Sequence, residues 1–231
     1  MPSQYLFLVN SRPTTCDNKT WEKWYKEEHL PDLVNHKAST RAAFYREVFD
    51  VPDLYASNKA KNRRNYLAVY QTDFKDLLRS EEYKAIRTSS EILPGKTILE
   101  NGEFDARNYE LIHDFDPNSF GDTPAPYILY AELEPEDEKD LDIFYREEHF
   151  PLLAKVPGYR KGIRYRLGPE TGMTVGKPTT FVALHELEKS HQMKDSKEMR
   201  AVTSTPWTLK TMSGVSFSSV RSYELVHSVG Y

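Results

Sequence analysis

The chain has 231 residues and a mass of 26.9 kDa, enough for one large domain or two of ordinary size. A net charge of −4 and a pI near 6.0, with both signs spread along the chain, leave no basic face that would recommend nucleic acid as a partner. The single cysteine, Cys16, excludes an intramolecular disulfide framework and fits a reducing, cytoplasmic setting, and the first ten residues have neither the basic start of a signal peptide nor the apolar length of a membrane span.

Gln4 to Val9 is apolar on both alternating faces, which predicts a strand covered on two sides. A polar stretch then leads into a helix predicted from Lys19 or Thr20 to Pro31, with a short continuation to Asn35. This helix carries the octad Trp24-Tyr25-Lys26-Glu27-Glu28-His29-Leu30-Pro31, and Trp21, Trp24, Tyr25, Glu28 and Asp32 fall on one broad face. His29 follows Tyr25 by one turn, so the two rings should share an edge. Proline has no N–H and disfavours helix at the residue before it, so the helix should kink or stop just after His29. A helix C-terminus and two preceding carboxylates favour imidazolium, which predicts a raised histidine pKa.

Ala43 to Val51 reads as strand two, and Pro52 to Asn65 as a polar loop whose Lys59, Lys61, Arg63 and Arg64 are a solvated face or part of a lid. Tyr66 to Gln71 is a third strand, Phe74 to Ser89 has helical spacing, and Gly102 to Phe115 supplies the last strand. Asp116 to Pro126 contains Pro117, Gly121, Pro124 and Pro126 and is the best linker.

The same order then returns, with strands at Tyr127 to Leu133, Gly162 to Leu167, Thr179 to Glu186 and Ser216 to His227, and helices at Glu136 to Pro151 and Asp195 to Ser204. The octad recurs as Phe144-Tyr145-Arg146-Glu147-Glu148-His149-Phe150-Pro151. Tyr45-Arg46 matches Tyr165-Arg166, and the segment from Tyr66 to Tyr70 matches that from Phe181 to His185. Repeat one is thus 1–115, the linker 116–126 and repeat two 127–231. A βαββαβ unit puts its helices on one face of an antiparallel sheet, and these strands are apolar on the other face as well. Packing the two sheets together inside one chain solves that, giving an α+β monomer with an internal pseudo-dimer, or at most a weak homodimer.

The segment from Phe144 to Tyr159, with its aromatic-Tyr145 pair, Glu148-His149-Phe150-Pro151-Leu152 and then Pro157-Gly158, resembles the EthD-like branch of the dimeric α+β barrel superfamily. The first half departs from this pattern, with Lys37-Ala38 in place of Pro157-Gly158. The resemblance implies tandem ferredoxin-like units and a cleft between sheet and helices. It also implies metal- and coenzyme-free chemistry on small, oxygenated hydrophobic molecules, aromatic polyketides among them. The family's histidine carries over to His149 and His29.

Each half offers a candidate set: the octad histidine and tyrosine (His29 with Tyr25, His149 with Tyr145), the inward Glu28 or Glu148, and Tyr70 or His185 at equivalent places on strand three. Tyr66 joins the phenols that suit a planar aromatic substrate or simply fill core. Arg46 and Arg166 are expected to pair with Glu28 and Glu148, the alternative being a substrate carboxylate. His185 is either a partner across from His149 for proton transfer or a hydrogen-bonded histidine at a sheet edge. No cofactor is expected: Gly172 to Lys177 is one residue short of a phosphate loop, no dinucleotide glycine motif occurs, and no zinc ligand spacing is present. The leading reading is a cofactor-independent lyase or isomerase, a decarboxylase or cyclase of a phenolic or polyketide-like compound, with the octad histidines as acid and base. The alternatives are a cofactor-free oxygenase, in which a bound phenolate reduces dioxygen, and a non-catalytic binding or stress-response barrel.

Overall fold

The computed structural model describes residues 2–48, 63–188 and 196–231. The first repeat runs β1 (Tyr5–Pro13), α1 (Asn18–Trp24), a π-helical turn (Tyr25–His29), α2 (Leu30–Asn35), β2 (Arg41–Val48), β3 (Tyr66–Thr72), α3 (Glu81–Lys84) and β4 (Gly102–Phe115). The second runs β5 (Tyr127–Pro135), α4 (Glu138–Phe144), a π-helical turn (Tyr145–His149), α5 (Phe150–Leu153), β6 (Tyr159–Leu167), β7 (Phe181–Leu187), α6 (Lys197–Ser204), α7 (Pro206–Ser213) and β8 (Val215–Val229). Residues 49–51 of the expected strand two, most of the basic loop with Lys59 and Lys61, and Asp195 lie outside the described residues.

All strands pair antiparallel in one closed eight-stranded barrel, in the order β1-β3-β2-β8-β5-β7-β6-β4. The two repeats join through their edges. β2 pairs with β8 from Ala42–Val229 to Val48–Ser222, and β4 pairs with β6 from Tyr109–Leu167 to Phe115–Gly162. The great length of β4 and β8 follows, because one part of each pairs within its own repeat and the remainder with the other. Closure leaves no strand edge for another chain to extend.

Alternation along the strands sorts the side chains into three cores. Leu6, Leu8, Tyr45, Val69, Tyr109, Ile163, Val182 and Leu184 fill the barrel. Phe7, Val9, Phe44 and Tyr70 face outward onto Trp21, Trp24, Tyr25, Leu30 and Leu33 of the first helical layer. Ala131, Leu133, Phe181 and Ala183 meet Leu141, Phe144, Tyr145, Phe150 and Leu153 in the second. Each large side chain so buried contributes roughly 1.5–3 kcal/mol. The linker straps one barrel mouth, where Lys161 Nζ donates to Gly121 O at 2.6 Å and Tyr45 Oη to Ala125 O at 3.3 Å.

Two expectations are corrected in the helical layer. The stretch from Phe74 to Ser89 holds only a short 3-10 turn at Leu77–Arg79 and the four-residue α3, because Ser80 is extended and restarts the chain as an N-cap accepting from Tyr83 N. In the second repeat an additional helix, α7, opens with Pro206 in its first turn and the Thr205 side chain accepting from Thr208 N. No helix among the described residues is long and apolar enough to cross a membrane.

Candidate functional site

The octad proline does not end the helix. Leu30 N–H reaches back five residues to Tyr25 O, and Phe150 N–H reaches Tyr145 O in the same way, so each helix widens into one π turn and then resumes past the proline. Proline has no N–H to lose, and the widened turn accommodates it. Of the kink or stop expected after His29 and His149, the stop does not occur. The tyrosine and histidine at the ends of each π turn do meet, ring centroids 5.3 Å apart for Tyr25–His29 and 4.8 Å for Tyr145–His149.

In the first repeat His29 lies against Trp24 with centroids 4.7 Å apart and meets Tyr70 edge-on at 6.1 Å. Together with Phe7, Tyr25, Leu33, Tyr83 and Phe104 these residues line a cleft between sheet and helices. The cleft encloses about 390 Å³ of space between atoms, its solvent-open mouth included. No charged side chain lines it. Nε1 of Trp24 is buried without a hydrogen-bond partner among the described residues, while the buried Tyr70 hydroxyl is hydrogen-bonded with that of Tyr25. The Tyr25 hydroxyl lies 3.3 Å from Ser11 Oγ, and burial raises its pKa well above the usual phenol range. His29 keeps an accessible edge and makes no hydrogen bond among the described residues. Burial lowers its pKa to about 4, against the upward pull of Asp32, so it is neutral at pH 7.

His149 has the same fate: burial, then His185 and Arg164, lower its pKa to about 3. The raised values expected from the helix end are thus reversed. Glu27 and Glu147, which were to hold the proton, are exposed on the opposite side, and the rings sit among aromatic side chains where the charged form loses hydration.

The second repeat gathers a different set. His149 and His185 lie 5.7 Å apart and nearly perpendicular, and His185 Nδ1 is 3.3 Å from Tyr159 Oη. Burial lowers the His185 pKa to about 4, with Arg164 adding to it. His185 stands on a strand paired on both sides, so the sheet-edge role does not apply. Arg164, which the sequence did not single out, is 1% exposed, stacks over the Tyr145 ring at 4.3 Å and donates to Asp142 Oδ1 at 2.7 Å.

The remaining expected residues serve structure. Arg46 pairs with Glu22 at 2.9 Å and with Glu224, and Arg166 pairs with Glu138, not with Glu28 or Glu148. Glu28 is buried 3.9 Å from Arg87 and accepts from Glu91 N at 3.3 Å, while Glu148 accepts from the Thr205 hydroxyl. The pairing fails because Arg46 and Arg166 meet their helices earlier, at Glu22 of α1 and Glu138 of α4, six and ten residues before Glu28 and Glu148. Tyr66 donates to Glu22 at 2.9 Å and does not line the cleft. Trp24, Tyr83, Phe104 and Met173 line it without having been named as candidates. Trp24 stood in the octad, but nothing in the sequence tells an aromatic core position from a cleft wall. Among the described residues no three His, Cys, Asp or Glu side chains are grouped as a metal ion would require.

No protein-family model matches the chain, and no curated protein matches it. Solved structures do. An "anthrone oxidase-like protein" superposes with a TM-score of 0.58 at 14% identity, covering 98% of this chain and 93% of its own. A "Putative monooxygenase" from Fusobacterium nucleatum gives 0.58 at 7% identity over 99% and 95% of the two chains. Another of that name from Lactobacillus acidophilus gives 0.53 at 8% identity over 98% and 96%. Similarity at this level extends over whole chains, and with the strand order it establishes a tandem ferredoxin-like α+β barrel closed within one polypeptide.

Proposed function

We propose that the cleft of the first repeat is the active site of a cofactor-free oxygenase whose substrate is an uncharged, flat phenol or enol with an acidic C–H conjugated through its rings with a carbonyl, of which an anthrone is a simple example. The observation that carries this reading is His29: a neutral imidazole without a side-chain hydrogen bond among the described residues, opening into an aromatic cleft beside the unpartnered Trp24 Nε1–H and the Tyr70 hydroxyl. Such a ring is a base at neutral pH. An uncharged cleft wall favours a neutral substrate, and Tyr70 Oη and Trp24 Nε1 supply donors for the oxygen on which charge develops.

His29 takes the acidic proton, leaving a delocalised enolate. That enolate gives one electron to dioxygen, and the radical pair combines to a carbon-bound peroxide anion, which takes up the proton from His29 and becomes a hydroperoxide. Loss of water converts the carbon to a carbonyl, so CH₂ and O₂ become C=O and H₂O. The names borne by the three solved structures support an oxidase or oxygenase reading, and the EthD-like resemblance of the second octad supports small-molecule chemistry in general. The lyase or isomerase reading uses the octad histidines as acid and base, and their lowered pKa values weaken the acid half of that role near neutral pH.

The test is an oxygen electrode with chelator-treated protein and an anthrone. Expected is uptake of one O₂ per substrate consumed, reduced by roughly 10²- to 10⁴-fold in His29→Ala. Turnover without oxygen uptake would return the argument to the lyase reading, and no turnover of any acidic phenol would sink both.

A further inference from the structure

We infer that the second repeat decides which substrates the first repeat's cleft accepts, through the thioether of Met173; this rests on that cleft being the working site. Among the described lining residues Met173 is the one contributed by the second repeat. It lies on the connection between β6 and β7, which crosses onto β4 of the first repeat and is fixed there residue by residue. Gly168 N donates to Asn108 O at 2.8 Å, Thr171 Oγ1 to Ala106 O at 2.6 Å, Ala106 N to Met173 O at 3.2 Å and Val175 N to Asp105 Oδ1 at 3.1 Å. Thr171 is 6% exposed, so this attachment is part of the packed structure.

The Met173 backbone is thus held while its side chain, partly buried against the first helical core, keeps three rotatable bonds. It faces a wall of Phe104, Ala106 and Ile98. Those neighbours are bound into β4 or the turn before it, so against this wall the methionine is the side chain free to adjust. A flexible thioether beside aromatic walls selects by size and shape, since no charge in the lining adds a polar criterion. A hydrophobic wall of this kind discriminates by about 10- to 200-fold for small changes in bulk. The chemistry required of a ligand is therefore an uncharged fused-ring compound whose ring count is set at Met173.

The test is binding without turnover: quenching of tryptophan fluorescence under argon by 1-naphthol, with two rings, and by anthrone, with three. Met173→Phe is expected to weaken the three-ring probe about tenfold relative to the two-ring one, and Met173→Ala to shift the same ratio the other way. Val175→Ala, on the same connection but 44% exposed and outside the lining, should leave both dissociation constants as in the wild type. A ratio equal in all four proteins would overturn the inference. Binding of both probes with no oxygen uptake in air would remove the oxygenase reading and leave Met173 in its role. Failure of the wild type to bind either probe would overturn both.

Discussion

The two repeats use one backbone device to opposite ends. Each holds its histidine at the close of a π turn, beside a tyrosine and below an aromatic residue, Trp24 or Phe144. The positions that differ lie on the sheet and at the start of the helix after the π turn. Phe44 in the first repeat stacks on Tyr25 at 3.7 Å and on Tyr66 at 5.0 Å, whereas Arg164 takes its place in the second. Tyr70 becomes His185, Leu30 becomes Phe150, and Ala42 becomes Gly162. In the second repeat Phe150 and the Tyr159 hydroxyl crowd the space over Gly162, and Tyr159 bonds His185. The first repeat instead leaves His29 at an open cleft. What sets the two histidine surroundings apart is therefore the set of side chains around each ring, not the motif that positions it.

The largest expected effect separates the histidines. His29→Ala should lower turnover by roughly 10²- to 10⁴-fold while His149→Ala stays within about threefold of wild type, measured as oxygen uptake on one substrate. Equal losses would show that both repeats work. Next comes Gly162→Ala. An added Cβ would lie 2.2 Å from Phe150 Cε1 and 2.4 Å from Tyr159 Oη, so urea unfolding should show a loss of about 1–3 kcal/mol. The first repeat carries an alanine at the matching position, Ala42, fully buried, so a variant as stable as wild type would mean the second repeat is as open as the first.

Most of the architecture was legible because the chain states it twice. The apolar, two-sided strands and the returning octad specified the β and α order, and the need to cover a second sheet face specified closure. The π turn was not legible, since proline in a sequence announces a lost N–H but not that the helix will widen instead of ending. The histidine pKa was misjudged for a related reason: the sequence places Glu27 and Glu28 beside the ring along the chain, and only packing shows Glu27 pointing away and Trp24 lying on the imidazole. Arg164 and Met173 stayed hidden because their roles depend on contacts across the fold, one with Tyr145 and the other across the repeat boundary.

The smallest and most specific effect is expected from making the second repeat resemble the first with Arg164→Phe. The guanidinium is buried, one of its Nη groups has no partner, and burial lowers its pKa. Its ion-pair partner Asp142 is 39% exposed and is also held by Arg146, so removing the arginine strands no buried carboxylate. Phenylalanine would restore the ring stack that Phe44 makes on Tyr25, and the variant should lie between about 0 and 2 kcal/mol more stable than wild type at pH 7. The pH dependence sharpens this. His149 and His185 have folded-state values of about 3 and about 4, below the ordinary 6.5. As pH falls from 6.5 the unfolded chain therefore takes up protons first, and stability drops until the folded-state values are reached. Arg164 contributes to both depressions, so its loss should raise both histidine values and shrink the gap in stability between pH 7 and pH 3, where the folded-state values act, read from paired denaturant titrations. An unchanged gap would mean that burial alone keeps the second repeat's histidines neutral, and that the arginine distinguishes the two repeats by shape rather than by charge.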